Sequence, residues 1–169
     1  MLSVAPSHVL TPGVAAFGSI HESGVKSSPM VVLVGKVKGT IHAIATPNAG
    51  GVNTLMLGDG LTQGLPGIVV WTSIQETELH GKTVQVTRGS GSLAPLAAST
   101  GSYISFTYTG SGLIAKTGAT QTFSIFGTVT GGKGAYALSK GTISGTVVVN
   151  PQTGSLTINY TLHVRPVAA

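Results

Sequence analysis

Charge is the scarcest commodity in this sequence. Only 8% of its 169 residues are Asp, Glu, Lys or Arg, with four acids against nine bases for a net +5. Ions cannot do most of the solvating, so 22 Thr and 17 Ser must supply much of the polar surface. The bases (Lys26, Lys36, Lys38, Lys82, Arg88, Lys116, Lys133, Lys140, Arg165) are dispersed. Without a clustered basic stripe there is no footprint for tracking phosphates, which excludes a nucleic-acid partner. Cysteine is absent, which removes disulfides, thiolate nucleophiles and Cys-ligated zinc. Long apolar runs are missing too: the longest, residues 30–34, is far short of the ~18 residues of a membrane helix. Within the first twenty residues no basic n-region is present, and Pro6, His8 and Pro12 interrupt any apolar h-region. The compartment therefore stays open, with secretion favoured over the cytoplasm.

What the chain does have is alternation. Ile104, Phe106 and Tyr108 are apolar between Ser105, Thr107 and Thr109; Phe123, Ile125 and Val129 share a face opposite Thr122, Ser124, Thr128 and Thr130. The same period recurs in 141–149 (Ile143, Val147, Val149) and 155–165 (Leu156, Ile158, Tyr160, Leu162, Val164). In 31–45 it sets Val31, Leu33, Val37, Ile41 and Ala43 against Lys36, Lys38, Thr40 and His42. Period two means half-buried strands, because successive side chains point to opposite faces. Residues 68–80 predict another strand and 83–87 a short one. Gly58-Asp59-Gly60, Gly89-Ser90-Gly91, Gly110-Ser111-Gly112 and Asn150-Pro151-Gln152-Thr153-Gly154 read as loops. Only 93–100 offers a helical stretch, and Pro95 interrupts it. Together these features predict an all-β protein: an extended arm over residues 1–29, then one β-domain over 30–169, either a barrel or a two-sheet sandwich.

Residues 127–134 come near to a phosphate-binding loop, but Gly134 stands where Ser or Thr should follow Lys133, and a strand follows where a helix is required. Nucleotide binding is excluded. Taken as a strand end, the run Gly131-Gly132-Lys133-Gly134-Ala135-Tyr136 resembles the Gly-Gly-x-Gly-x-aromatic segment of the dirigent and allene oxide cyclase barrels. The likeness extends upstream through Ile104-Ser105-Phe106-Thr107-Tyr108 and Phe123-Ser124-Ile125-Phe126, covering roughly 103–149. The resemblance implies an eight-stranded antiparallel barrel, commonly a homotrimer. It also implies a small apolar molecule held in the lumen, whose cyclisation or coupling is steered with no metal or other cofactor. Ile20-His21-Glu22 is only faintly similar to the acidic segment near those barrels' first strand.

Candidate chemistry rests on few residues. Glu76 and Glu78, two apart on one strand, share a face with each other, with His80, and with Val70 and Ile74. If that face is the lumen, a carboxylate beside an apolar wall serves as general acid or base. If the strand leaves the core at Ile74, both are solvated; with His80 they could also ligate a hard metal ion. We expect the lumen orientation, with Glu76 and Glu78 catalytic and Ile74, Phe106, Tyr108, Phe123 and Tyr160 lining the ligand. Lys36, Lys38 and His42 form a row that reads as the wet side of a strand. Trp71 lies on the face opposite Glu76 and reads as packing. Asp59, the sole Asp, sits in a Gly-flanked segment, so no Ser-His-Asp set is credible. The Asn159-Tyr160-Thr161 sequon falls mid-strand.

Overall fold

A computed structural model describes residues 28–44, 51–96 and 101–166. The expected arm and its Ile20-His21-Glu22 lie almost wholly outside these residues. Eight strands follow in order: β1 (Val31–Ile44), β2 (Gly51–Gln63), β3 (Ile68–His80), β4 (Thr83–Pro95), β5 (Tyr103–Leu113), β6 (Gln121–Lys133), β7 (Lys140–Asn150) and β8 (Ser155–Arg165). Each pairs antiparallel with its sequence neighbour, and β1 pairs with β8, closing the sheet into a barrel. Closure satisfies every ladder and leaves no edge, so the sandwich alternative is set aside. One short 3₁₀ turn, Gly134–Tyr136, links β6 to β7.

The alternating apolar residues become the interior: Leu33 and Val37, Ile104 and Phe106, Ile125 and Val129, Ile143 and Val147, and Leu156 through Val164 are buried. Strand β8 lies where its alternation placed it.

Strand β2, by contrast, has no counterpart in the sequence reading, and β4 runs eight residues beyond the short strand expected. Gly58-Asp59-Gly60, Gly89-Ser90-Gly91 and Gly110-Ser111-Gly112, read as loops, all lie within strands. Their glycines work by being small. Cross-strand, Gly58 faces Trp71, Gly91 faces Phe106, Gly89 and Gly127 flank Tyr108, and Gly35 and Gly145 flank Tyr160. Every interior aromatic among these lies beside a residue with no side chain. At Gly89 a Cβ would overlap the Tyr108 ring; at Gly127 it would run into the Thr107 carbonyl. Small and large residues therefore alternate around the bore, as a narrow barrel requires.

The two ends differ. At the end holding the β2–β3, β4–β5 and β6–β7 connections, Leu65 and Tyr136 pack against the core, and Ser139 and Pro95 are buried. That end is plugged. Tyr136 folds back over it from the glycine-rich turn. At the opposite end, the inward-facing row becomes exposed.

Candidate functional site

Mid-height in the barrel, the bore is filled. The Trp71 ring centroid lies 4.7 Å from that of Phe106 and 5.2 Å from that of Tyr160, and Phe106 lies 6.2 Å from Tyr108. Trp71, Phe106, Leu33 and Met56 are 0–1% exposed, so no water-sized space adjoins them. Tilted contacts at these separations are favoured by the ring quadrupoles. An eight-stranded barrel is just wide enough for side chains to fill, and here they do.

One step toward the open end lies a polar layer. The Trp71 Nε1–H donates to Ser73 Oγ at 2.8 Å, and the Tyr108 hydroxyl donates to Ser73 Oγ and Gln75 Oε1, each at 3.3 Å. Thr54, opposite Gln75 in the ladder, keeps a buried hydroxyl with no hydrogen-bond partner. Burial pushes the Tyr108 phenol up to about 12, more than the Ser73 hydrogen bond lowers it. The phenol is thus a proton-bearing donor across the physiological range. Toward the plugged end, Tyr160 hydrogen-bonds Thr62, and burial raises its phenol as well.

Above this layer the inward-facing row continues as Ile41 and Ala43 on β1, Val52 on β2, Thr77 and Leu79 on β3, and Val84 on β4. Ala43 neighbours Thr54, Val52 neighbours Thr77, and Leu79 neighbours Val84. Ile41 and Val84 still touch the core, whereas Val52 is 51% and Leu79 70% exposed. The result is an apolar mouth over a polar floor.

The expected site residues divide between the two faces. Phe106, Tyr108, Phe123 and Tyr160 are buried on the inward row. Ile74, Glu76 and Glu78 are not on that row. On β3 the inward residues are Val69, Trp71, Ser73 and Gln75, so the even-numbered set points outward, with Ile74 half exposed. The register reasoning linking Val70, Ile74, Glu76 and Glu78 holds, but the face they share is the outer one. Trp71 decides it, because the largest apolar side chain claims the interior. Glu78 Oε2 pairs with His80 Nε2 at 3.1 Å in a largely exposed contact, of a kind worth about 0–1 kcal/mol. A β-bulge does occur beside them, on β4: Glu76 pairs with Arg88 and Thr77 with Val86, leaving Thr87 as the extra residue. It leaves the alternation of β3 intact. Sequence reasoning missed Ser73, Gln75 and Thr54, which look like outward polar residues until Trp71 fixes the register.

Among solved structures the chain is similar to the pterocarpan synthase dirigent protein GePTS1, with a TM-score of 0.51 and 12% sequence identity over 98% of this chain and 100% of that one. No protein-family model and no curated protein matches the sequence. At that identity the likeness speaks to fold, and with the closed eight-stranded topology it makes this chain a dirigent-like β-barrel.

Proposed function

We propose that this barrel binds one small apolar molecule at its open mouth and steers that molecule's ring closure or coupling by holding its shape. The supporting observation is the asymmetry of the ends among the described residues: Leu65 and Tyr136 plug one, while Ala43, Val52 and Leu79 present exposed apolar side chains at the other. The Trp71 layer keeps the ligand from entering deeper. Such a site contributes orientation, which confines a flexible substrate to a near-attack geometry. Thr54 Oγ1 and the Tyr108–Gln75 pair lie buried beneath the mouth, where a polar group on the ligand meets them only by displacing the side chains above. The structural relative is named as a pterocarpan synthase dirigent protein. With Glu76 and Glu78 on the outer face, the proton-bearing group nearest this path is the Tyr108 phenol rather than a carboxylate.

A second reading has its own support. The filled bore suits a non-catalytic barrel with a binding or structural role, in which the mouth holds a ligand without transforming it. In both readings the protein assembles with copies of itself, a trimer being the arrangement implied by the family resemblance, and secretion stays favoured over the cytoplasm.

Titration with a neutral apolar fluorophore such as Nile red tests the site. Saturable binding is expected, weakened about tenfold or more (roughly 1.4 kcal/mol) by Leu79→Asp or Val84→Asp. Glu76→Gln, Glu78→Gln and the outer-face Ile74→Asp should leave it unchanged. Absence of saturable binding, or equal loss from Ile74→Asp and Val84→Asp, overturns the mouth as the site.

A further inference from the structure

On the far side of the sheet from the bore, one described phenylalanine stands in solvent. Phe126 on β6 is 65% exposed at mid-strand, opposite Thr109 on β5 and Ser144 on β7. The other described phenylalanines, Phe106 and Phe123, are core residues. A threonine would serve the strand equally well there and avoid exposing a ring to water. Two open hollows flank the ring. One, of about 440 Å³, is bounded by Arg88, Ser90, Thr107 and Thr128. The other, of about 420 Å³, is bounded by Gln85, Thr109 and Ser111. Both are shallow and open to solvent, the form of a surface subsite rather than an enclosing pocket. The larger hollow is mostly apolar, floored by the Phe126 ring with Ser90, Thr107 and Thr128 hydroxyls around it, and the smaller one mixes Phe126 with Gln85, Thr109 and Ser111.

The bulge on β4 completes the arrangement. With Thr87 inserted between Val86 and Gly89, the ladder opposite Thr109 is broken, and Thr87 and Arg88 are both exposed in succession. Bulges commonly re-aim a side chain in this way. Arg88 lines the larger hollow and forms no ion pair among the described residues. Its cross-strand neighbour Glu76 packs toward Gly51 on β2, the other flank of β3. Among the described residues, no acidic side chain lines either hollow.

From this we infer that the outer face of β4–β6 around Phe126 and Arg88 binds an acidic saccharide. The electron-rich face of the ring attracts the polarised C–H groups on one side of a pyranose. The guanidinium takes a uronate carboxylate through paired N–H donors. Thr107, Thr128 and Ser90 exchange hydrogen bonds with ring hydroxyls, and the two hollows accommodate sugar units on either side of the stacked one. The chain's net charge of +5 favours the approach of a polyanion.

Native affinity electrophoresis of the full chain in gels containing polygalacturonate, at physiological ionic strength, tests this. Retardation is expected, with Phe126→Thr and Arg88→Gln each weakening it about tenfold or more. Phe126→Tyr should restore binding. Lys36→Gln, which removes the same charge from β1, should leave it nearly unchanged. Equal losses from Arg88→Gln and Lys36→Gln would reduce the effect to net charge and overturn the site. So would wild-type retardation of Phe126→Thr, or equal retardation in neutral galactan.

Discussion

Tyr108 couples packing to protonation. Its ring lies between Gly89 and Gly127, and its hydroxyl is held by Ser73 and Gln75. Replacing it with Phe keeps the ring and removes those bonds, leaving Gln75 Oε1 unsatisfied, which costs about 1 kcal/mol at neutral pH. A second consequence appears in alkali. The unfolded phenol ionises near 10 and the folded one near 12, so between those values the folded state holds the proton and the unfolded state does not. Stability from this group is complete below pH 10 and declines as pH rises toward 12, by on the order of 2 kcal/mol. Tyr136 and Tyr160, also raised by burial, act in the same direction. Chemical denaturation from pH 8 to 11.5 should show a plateau and then a fall, shallower in Tyr108→Phe; an identical fall in the variant would show that the phenol does not titrate as its burial requires.

Strands were legible where enough apolar residues kept one phase and illegible where closely spaced glycines removed it. β5 and β8 carry apolar residues in one phase, and β6 and β7 do so around the single glycines Gly127 and Gly145, so their core sides follow directly. In β2 and β4, Gly58, Gly60, Gly89 and Gly91 imitate loop punctuation, because one residue type serves both a turn's positive φ and a barrel's close packing. What separates the uses is the cross-strand partner: Trp71 lies opposite Gly58, Tyr108 opposite Gly89 and Phe106 opposite Gly91, while Gly60 lies between Val37 and Val69, and these pairings become visible only once strands are in register. The site was less legible for a related reason. Period two groups Ile74 with Glu76 and Glu78 but does not say which face is inside; that was settled by Trp71, one position out of phase. Gly89 tests the packing account. Gly89→Val fits strand propensity yet forces the Tyr108 ring aside, so thermal denaturation should show a loss of roughly 1–3 kcal/mol. Ser90→Val, next to it on the outer face, should stay within about 0.5 kcal/mol. Equal effects from the two would mean that the close ring contact does not constrain the strand.

At the scale of the whole molecule, the outside of the barrel is divided. Around Phe126 it is hydroxyl-rich, whereas across β1–β3 it is aliphatic: Val32 and Val34 on β1, Leu57 and Leu61 on β2, and Ile68 and Ile74 on β3 are all exposed. Leu61 and Ile68 are direct cross-strand partners, and Lys36 borders Leu61 on the other side. Apolar surface of this extent, interrupted by Lys36, Lys38 and Asp59, on a chain with 8% charged residues invites burial against another protein. A second copy is the partner that the family resemblance implies, and a cyclic trimer would use this face once per protomer against a different face of its neighbour. Charge placed at the centre of the patch opposes that burial, because a desolvated ion without a partner costs several kcal/mol. Leu61→Lys and Ile68→Lys should therefore shift the sedimentation profile from trimer to monomer at micromolar concentration, while leaving the far-ultraviolet circular dichroism of the strands in place. Phe126→Lys, on the opposite part of the barrel, should leave the assembly intact. A wild-type chain that sediments as a monomer at high concentration would remove the trimer. Dissociation by Phe126→Lys alone would move the interface to β4–β6 and compete directly with the saccharide site there.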